Sequence, residues 1–426
     1  MKRFAALTAV ACGLGLAGAA PAAAEIEPKA VVATYADLAA AMYADAATAT
    51  AALRTAVGAL LANPNETTLA AARKAWIEAR RWYQQTEGFR FGNPAIDDIE
   101  GRVNAWPLDE GLIDYVDVGR YGESSDENPL FRADVVANRR IVVGRTRIDA
   151  RRITRKLIAE DLHQAGGVEA NVASGYHAVE FLLWGQDLNG TGPGAGDRKA
   201  TDFDPKHCSH GHCDRRRAYL EAVTDLLVDD LGEMAATWSA KGAARRTLLA
   251  KSPEAGLATI FTGLGSLSYG ELAGERMKLG LILHDPEEEH DCFSDNTHNS
   301  HFYDQAGMTA IWRASHVRLD GSRFEGPAPR DLAREKVPEA AARADGLFDA
   351  TTARLAAIKE TADSGKMAYD QMIGAGNAEG NALVQAGVDA LVAQTRGLEA
   401  VVAGLGLKIE TKGSTSLDDP GKAGKK

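Results

Sequence analysis

The sequence predicts an all-α protein made of two helical-bundle domains, with a functional site at their interface. Two apolar stripes with helical spacing, over 220–238 and 384–405, are each long enough for a bundle helix. Alanine-rich stretches over 36–62 and 67–82 add segments of high helix propensity. Because few segments alternate apolar and polar residues with a period of two, we expect no β-sheet.

The first 24 residues have the features of a secretory signal peptide. Lys2 and Arg3 precede an apolar segment, and small residues at 22–24 form a cleavage site before Glu25. We therefore expect residues 1–24 to be removed and the mature chain to be exported to a bacterial periplasm. Cys12 leaves open a lipid-anchored or outer-membrane-associated form.

The mature chain is expected to divide into an N-terminal helical domain, 25–215, and a C-terminal helical domain, 216–410. A third shorter stripe, over 153–162, adds a helix to the first domain. The tail, 411–426, is rich in Gly, Ser and Lys and is predicted to be disordered. Long irregular stretches, which are usually functional or disordered, interrupt the helices at 88–110, 185–207, 284–306 and 319–330.

Composition narrows the class of partner. Asp and Glu total 59 against 48 Lys and Arg, a formal net charge of −11, which argues against nucleic acid and favours cations. Apart from the N-terminus, no apolar run approaches the ~20 residues of a membrane-spanning helix. We therefore expect the mature part not to be an integral membrane protein.

The stretch ASGYHAVEFLLWGQD, residues 173–187, carries the main candidate site. His177 and Glu180 are three residues apart on an apolar helix, so they share a face and can bind one cation together. Gly175 removes a side chain where another backbone or a ligand can approach closely. A structural hydrogen bond beneath a domain interface would have the same spacing, so both interpretations stay open. A zinc peptidase would need a second His, as in H-E-x-x-H, which this helix lacks.

Further candidates lie between residues 268 and 302. Glu271 and Arg276 belong to a predicted helix, and the loop after it is crowded with hydrogen-bond donors and acceptors. Upstream, Glu87 and Arg90 have a three-residue spacing that would let them pair with each other. The loop residues expected to face His177 are Ser294, Asp295, Thr297 and His298.

The remaining cysteines point to a small disulfide loop. Cys208 and Cys213 lie within HCSHGHC, which could hold zinc or copper. In an oxidising compartment a disulfide between them is favoured, and it would leave Cys292 unpaired.

Taken together, these motifs resemble the imelysin family, also called the insulin-cleaving membrane protease or M75 peptidase family, and within it the iron-regulated protein A branch. GYHAVE at 175–180 matches the family's GxHxxE, and other segments follow in the family's order. These segments are TEGFRFG at 86–92, WPLD at 106–109, CDRRRAYL at 213–220, GELAGERM at 270–277 and CFSDNTH at 292–298. The resemblance implies two bundle-like helical domains whose GxHxxE helix meets the second domain at a central cleft.

The resemblance also implies a function and a site. We expect a protein of bacterial iron uptake that binds a metal ion, iron or zinc, or an iron complex, and works with a membrane transporter or outer-membrane partner. His177 and Glu180 are the expected metal ligands, and nucleic acid is not an expected partner. One alternative is an M75-type zinc metallopeptidase in which Glu180 is catalytic. The other is a scaffold without metal that binds a transporter or a siderophore.

Overall fold

The structure is a computed structural model that describes residues 25–126, 128–143 and 145–424. The predicted signal peptide and Cys12 lie outside these residues. The chain is 65% helical with few strands, which confirms the predicted all-α class. In the described ranges, none of the helices is both long and apolar enough to cross a lipid bilayer.

The α-helices of the described chain follow one another with short connections in most places. In chain order they are α1 (Pro28–Ala62), α2 (Glu66–Gln84), α3 (Pro94–Val103), α4 (Val118–Tyr121), α5 (Gly175–Trp184), α6 (Cys213–Trp238), α7 (Ala243–Leu249), α8 (Pro253–Ser266), α9 (Leu279–Leu283), α10 (Thr297–Arg313), α11 (Pro329–Lys336), α12 (Pro338–Asp363), α13 (Tyr369–Ile373), α14 (Ala378–Gly404) and α15 (Thr415–Asp418). Two segments, Leu157–Leu162 and Leu267–Lys278, are π-helical, and the second connects α8 directly to α9.

Two groups of long helices pack on one continuous hydrophobic core. In the first group α1 lies against α2 and α6, and α6 also contacts α3 and α5. In the second group α14 lies against α12 and the π-helical segment, and α10 packs on α12. Helices α8 and α10 join the groups, since α8 contacts α1 and α10 contacts α2. The boundary placed at 215/216 falls inside α6, and the division into two domains stays a prediction.

Local sequence explains how α2 and α5 come together beneath the site. The Asn65 side chain accepts hydrogen bonds from the backbone of Thr67 and Thr68, and the Thr68 hydroxyl accepts one from Asn65, so α2 begins with a capping box. Helix α5 is apolar on almost every side and every one of its residues is buried, as expected for a helix inside the core. The Trp76 indole donates to the carbonyl of Tyr176 over 3.0 Å and ties α2 to α5.

Short strands correct the expectation of no β-structure. Strands β1 (Arg140–Val143) and β2 (Thr146–Asp149) form one antiparallel hairpin, with Ile141 opposite Ile148. Strands β3 (Ser315–Val317) and β4 (Arg323–Glu325) form another. With three or four residues each, these strands are too short for alternation to stand out from a loop.

Part of the tail lies against the π-helical segment, although most of residues 411–424 are exposed, and the predicted disorder of the tail stays a prediction. Ser414 and Ser416 are buried, and the Ser416 hydroxyl donates to the carbonyl of Gly274 over 2.7 Å. The cause lies in two glycines of the π-helical segment. A Cβ on Gly270 would overlap the Lys412 carbonyl, and a Cβ on Gly274 would overlap the Ser414 side chain. Because these two glycines have no side chain, the tail can lie against the π-helical segment.

Candidate metal centre

Gly175 sets the position of the GxHxxE helix. Its φ is +86°, and a Cβ there would lie 2.5 Å from the carbonyl oxygen of Val103. Both observations exclude a larger residue, because L side chains rarely adopt this φ and the contact is with rigid backbone. The close approach foreseen at Gly175 is therefore made by another backbone segment, the end of α3. It brings the first turn of α5 against α3 and aims His177 inward.

His177 and Glu180 form a hydrogen bond inside the protein. The ring Nδ1 lies 3.1 Å from Glu180 Oε2, and the two side chains are 1% and 0% exposed. The other ring nitrogen, Nε2, lies 3.3 Å from Nη2 of Arg80. A guanidinium can only donate, so Nε2 carries the lone pair and the Nδ1 hydrogen points to Glu180. Glu180 thus orients the imidazole, as carboxylates behind metal-binding histidines do.

His290 and Asp291, from the loop before α10, complete a buried cluster with His177. Each of the three residues offers one ligand atom, and these atoms all lie within 4.8 Å of one another. The Asp291 backbone donates to the Thr297 hydroxyl over 2.9 Å, and its carboxylate accepts from Asn296 over 2.8 Å. These bonds hold the loop in place, so the two loop donors stay opposite α5.

Arg80, from α2, lies in the middle of this cluster. Its Nη2 is 2.9 Å from Asp291 Oδ1, 3.3 Å from His177 Nε2 and 3.3 Å from His290 Nδ1. Its Nη1 donates to Asn104, and its guanidinium lies 5.2 Å from the ring centre of Tyr176. The side chains of Arg80 and Asp291 are both 0% exposed, so they form a fully buried ion pair.

The electrostatics leave both histidines neutral. Burial lowers the pKa of His177 well below its usual value, and the nearby Arg80 guanidinium lowers it further. Burial likewise lowers the pKa of His290, with contributions from Arg276 and Arg80. By contrast, burial raises the pKa of Glu180 well above normal, and repulsion by Asp291 adds to the rise. Neutral imidazoles have free lone pairs for a metal.

The donors fit a transition metal. Two imidazoles and one carboxylate make up the donor set of non-haem Fe(II) sites and of several catalytic zinc sites. Glu180 lies behind His177 rather than in the group of three, with its Oε1 accepting from the Ser294 backbone and hydroxyl over 3.0 and 2.6 Å. The predicted pair therefore splits into one candidate ligand, His177, and one orienting residue, Glu180.

The other predicted loop residues have different surroundings. Ser294 contacts Glu180, and Thr297 contacts the Asp291 backbone, so both support the cluster from behind. His298 does not face His177, because its Nε2 lies 3.1 Å from Asp363 on α12. Asp295 has a φ of +53°, and burial raises its pKa to about 7.

A second buried ion network surrounds Arg276. It donates to Glu87 over 2.7 Å, Asp304 over 2.9 Å and Glu271 over 3.1 Å. Glu271 and Arg276 are five residues apart, and the π-helical winding of this segment, whose backbone bonds run from i to i+5, brings them together. The suggested Glu87–Arg90 pair is not formed.

Arg90 instead lies 2.7 Å from Asp97 and 3.1 Å from Glu100, both on α3. The Arg90 side chain is 17% exposed and the Glu100 side chain is 9% exposed. Spacing along the chain suggested a local partner for Arg90, but α3 lies closer to its guanidinium than Glu87 does.

A cleft of about 1270 Å³ leads to the cluster. Its lining includes His290 and Asn104 next to the cluster, Trp106, and Arg276 from the second ion network. Tail residues between 412 and 424 form part of the wall of this cleft. The cleft therefore connects solvent with the edge of the candidate site through His290.

Of the described cysteines, two form a disulfide in the HCSHGHC loop, and the third, Cys292, directly follows Asp291 in the chain. Cys208 and Cys213 are joined by a disulfide, with their Cα atoms 5.9 Å apart, and Cys292 is free. In the HCSHGHC loop, His207 lies 2.7 Å from Asp204 and His210 lies 2.7 Å from Asp202. In the described residues, the group with metal-site geometry is His177, His290 and Asp291.

Sequence reasoning missed Arg80 and Asp291 and noted His290 only as one of many polar loop residues. One signal for Arg80 was available: it continues the buried face of α2, three and four residues from Tyr83 and Trp76. An arginine at such a core position needs a buried acidic partner. Nothing in local spacing indicated which acid it would be.

Fold and site together define the class: a helical protein with a buried centre of two histidines and one carboxylate at the end of a cleft. Residues 39–398 match the family model described as Imelysin, Peptidase_M75. This chain therefore belongs to the imelysin family, as its motifs predicted.

Two solved structures share the fold. One, described as a "putative iron-regulated protein A precursor" from Parabacteroides distasonis ATCC 8503, is 17% identical with a TM-score of 0.61; the match covers 91% of this chain and 97% of that one. The other, an imelysin-like protein from Psychrobacter arcticum 273-4, is 18% identical with a TM-score of 0.57. That match covers 91% of this chain and 99% of the other. A search of curated proteins finds no match.

Proposed function

We propose that this protein is an exported metal-binding protein of bacterial iron uptake, which takes a divalent transition metal, iron or zinc, at His177, His290 and Asp291. The observation that carries the proposal is the cluster itself: His177 on α5 and the consecutive loop residues His290 and Asp291 bring three donor atoms within 4.8 Å of one another in the core. Likeness to a structure described as an iron-regulated protein A precursor supports the link to iron. A membrane transporter or outer-membrane protein would receive or deliver the metal.

The electrostatics support a metal more than a purely structural role for His177. Both imidazoles are neutral, and Glu180 fixes the ring so that the Nε2 lone pair faces the cluster. A histidine that only joined two domains would not need a second histidine and a carboxylate in the same buried cluster. The cleft gives a small ion or a compact iron complex a route to His290.

The surroundings of Glu180 count against the peptidase alternative. A metallopeptidase needs a carboxylate that accepts a proton from the metal-bound water. Here Oε1 of Glu180 accepts two bonds from Ser294, and Oε2 faces the Nδ1 hydrogen of His177. Both oxygens therefore already have hydrogen-bond partners within the protein, which leaves neither free to accept that proton.

The test is calorimetric titration of the chelator-stripped protein with Zn²⁺, and with Fe²⁺ under anaerobic conditions. We expect one site per chain in the wild type and a loss of at least about 100-fold in affinity for His290→Ala. Glu180→Gln should cost about 10–100-fold, the usual effect of removing a residue that orients a ligand. His298→Ala is the matched control, because it removes a buried histidine of the same loop region that faces Asp363 instead.

Equal affinity in the wild type and His290→Ala would refute the site. Cleavage of an unfolded protein substrate by the zinc-loaded wild type, lost in Glu180→Gln, would favour the peptidase instead.

A further inference from the structure

We propose that Arg80 is the resident cation of the His177–His290–Asp291 cluster, and that a divalent metal binds there only when the Arg80 guanidinium moves away. This inference rests on the proposed function and adds a residue that controls metal affinity.

The first argument is space. Nη2 of Arg80 lies between 2.9 and 3.3 Å from an atom of each of the three donors. Zinc or iron held by the same donors would lie about 2.0–2.2 Å from them. An ion at that distance from two of the three donors would overlap the Nη2 nitrogen. Arg80 and the metal are therefore alternative occupants of one position.

The second argument is charge. With Arg80 in place, its positive charge balances the Asp291 carboxylate in a site where both side chains are 0% exposed. Two more positive charges a few ångströms from the guanidinium would be strongly repelled, since little water is present to screen them. Once Arg80 has moved, the Asp291 carboxylate can balance part of the charge of a divalent ion instead.

The third argument is that Arg80 has contacts outside the cluster. Its Nη1 donates to Asn104, and its guanidinium lies 5.2 and 5.8 Å from the ring centres of Tyr176 and Tyr83. A cation over aromatic rings keeps part of its stabilisation in a buried site. These contacts, together with the Nε and Nη2 bonds to Asp291, stabilise Arg80 in the cluster and set the cost of displacing it for a metal.

The experiment compares Zn²⁺ affinity in the wild type and Arg80→Met by calorimetry, with folding checked by circular dichroism. Methionine replaces the unbranched side chain as far as the Nε position and removes the charge and both Nη donors, so we expect Zn²⁺ to bind about 10–100-fold more tightly. The gain must disappear in Arg80→Met/His290→Ala, which places it at the cluster. Arg216→Met is the matched control: it removes another buried arginine, paired with Asp114, and should leave Zn²⁺ affinity unchanged.

Two further measurements apply if Arg80→Met does not fold. Arg80→Lys keeps the charge but loses the planar fork, and should give a smaller gain in Zn²⁺ affinity. A crystal structure of the wild type grown with Zn²⁺ should show the metal bound and Nη2 displaced from His177. Zinc on His177 and His290 with Nη2 still within 3.3 Å of His177 would overturn the inference.

The outcomes separate this inference from the proposed function. If the wild type and Arg80→Met bind Zn²⁺ with equal affinity, and adding His290→Ala to either abolishes that binding, the role of Arg80 is overturned and the metal site remains. Weaker binding in Arg80→Met would also overturn it. No Zn²⁺ binding by any variant would refute the metal site and the inference with it.

Discussion

The buried Arg80–Asp291 pair gives the sharpest prediction about stability. Both side chains are 0% exposed and their atoms are 2.9 Å apart. Removing one partner leaves the other charge buried and uncompensated, which costs about 3–5 kcal/mol in measured cases. We therefore expect Arg80→Met and Asp291→Asn each to lower the free energy of unfolding of the metal-free protein by that amount.

The double variant should cost much less than the sum of the two. Without both charges, the remaining loss is that of hydrogen bonds to Asn104 and His177, about 1–3 kcal/mol each when the partner is left unsatisfied. Asn104 lines the cleft, so water can replace Arg80 as a donor to its side-chain oxygen, which lowers that loss. We expect Arg80→Met/Asp291→Asn to cost about 2–4 kcal/mol, a coupling energy of roughly 2 kcal/mol or more.

The assay is urea unfolding at pH 7 in the presence of a chelator, followed by circular dichroism and tryptophan fluorescence. Coincident transitions from the two probes would justify a two-state free energy. The control is the same cycle, Arg151→Met/Asp149→Asn, on an exposed ion pair. Arg151 and Asp149 lie 2.5 Å apart, but their side chains are 61% and 57% exposed. It should give a coupling below about 1 kcal/mol. If the costs of the two single variants sum to the cost of the double variant within about 0.5 kcal/mol, the coupling expected for a buried pair is absent and the prediction is refuted.

Three further predictions concern backbone fit and pH. Gly175→Ala should lower the free energy of unfolding by about 1–3 kcal/mol, because the residue has a φ of +86° and its new Cβ would overlap the Val103 carbonyl. Gly101→Ala is the control and should not destabilise the protein, because the space around Gly101 is open. Equal melting temperatures for the two variants would contradict this prediction. Burial lowers the pKa of His301 to about 3, so neutral His301 makes a contribution to stability that is lost as the pH falls below 6.5. From pH 7 to 5, His301→Leu should gain about 2 kcal/mol on the wild type in urea unfolding, and parallel curves would disprove the neutral state. Burial raises the pKa of Asp370 to about 7, so the opposite sign holds, and the contribution of this carboxyl group falls as the pH rises from about 4 to 7. Between pH 4 and pH 8, Asp370→Asn should gain roughly 1–3 kcal/mol on the wild type, and the absence of that gain would show that the carboxylate is solvated.

Periodicity was enough to predict most long helices, but it failed for α12. The stripe over 220–238 falls within α6, and the stripe over 384–405 extends one residue beyond the end of α14. The alanine-rich stretches fall within α1 and α2. Helix α12 was not predicted, because its buried positions are few and separated by charged and small residues. Helix α3 was included in an irregular stretch at 88–110, since its ten residues follow Pro94 in a polar context.

The sequence alone determined the helical class, the family and the helix that carries His177, because these depend on spacing within short segments. An apolar helix with one imidazole and one carboxylate on the same face can be recognised from ten residues. The tertiary structure decided what surrounds that imidazole. Arg80 is 97 residues from His177 in the chain, and Asp291 is 211 residues from Arg80, so no local pattern relates them. Only the packing of α2, α5 and the loop before α10 brings them within 4 Å of one another. That contact divides the predicted pair into a candidate ligand, His177, and the carboxyl group of Glu180 that orients it.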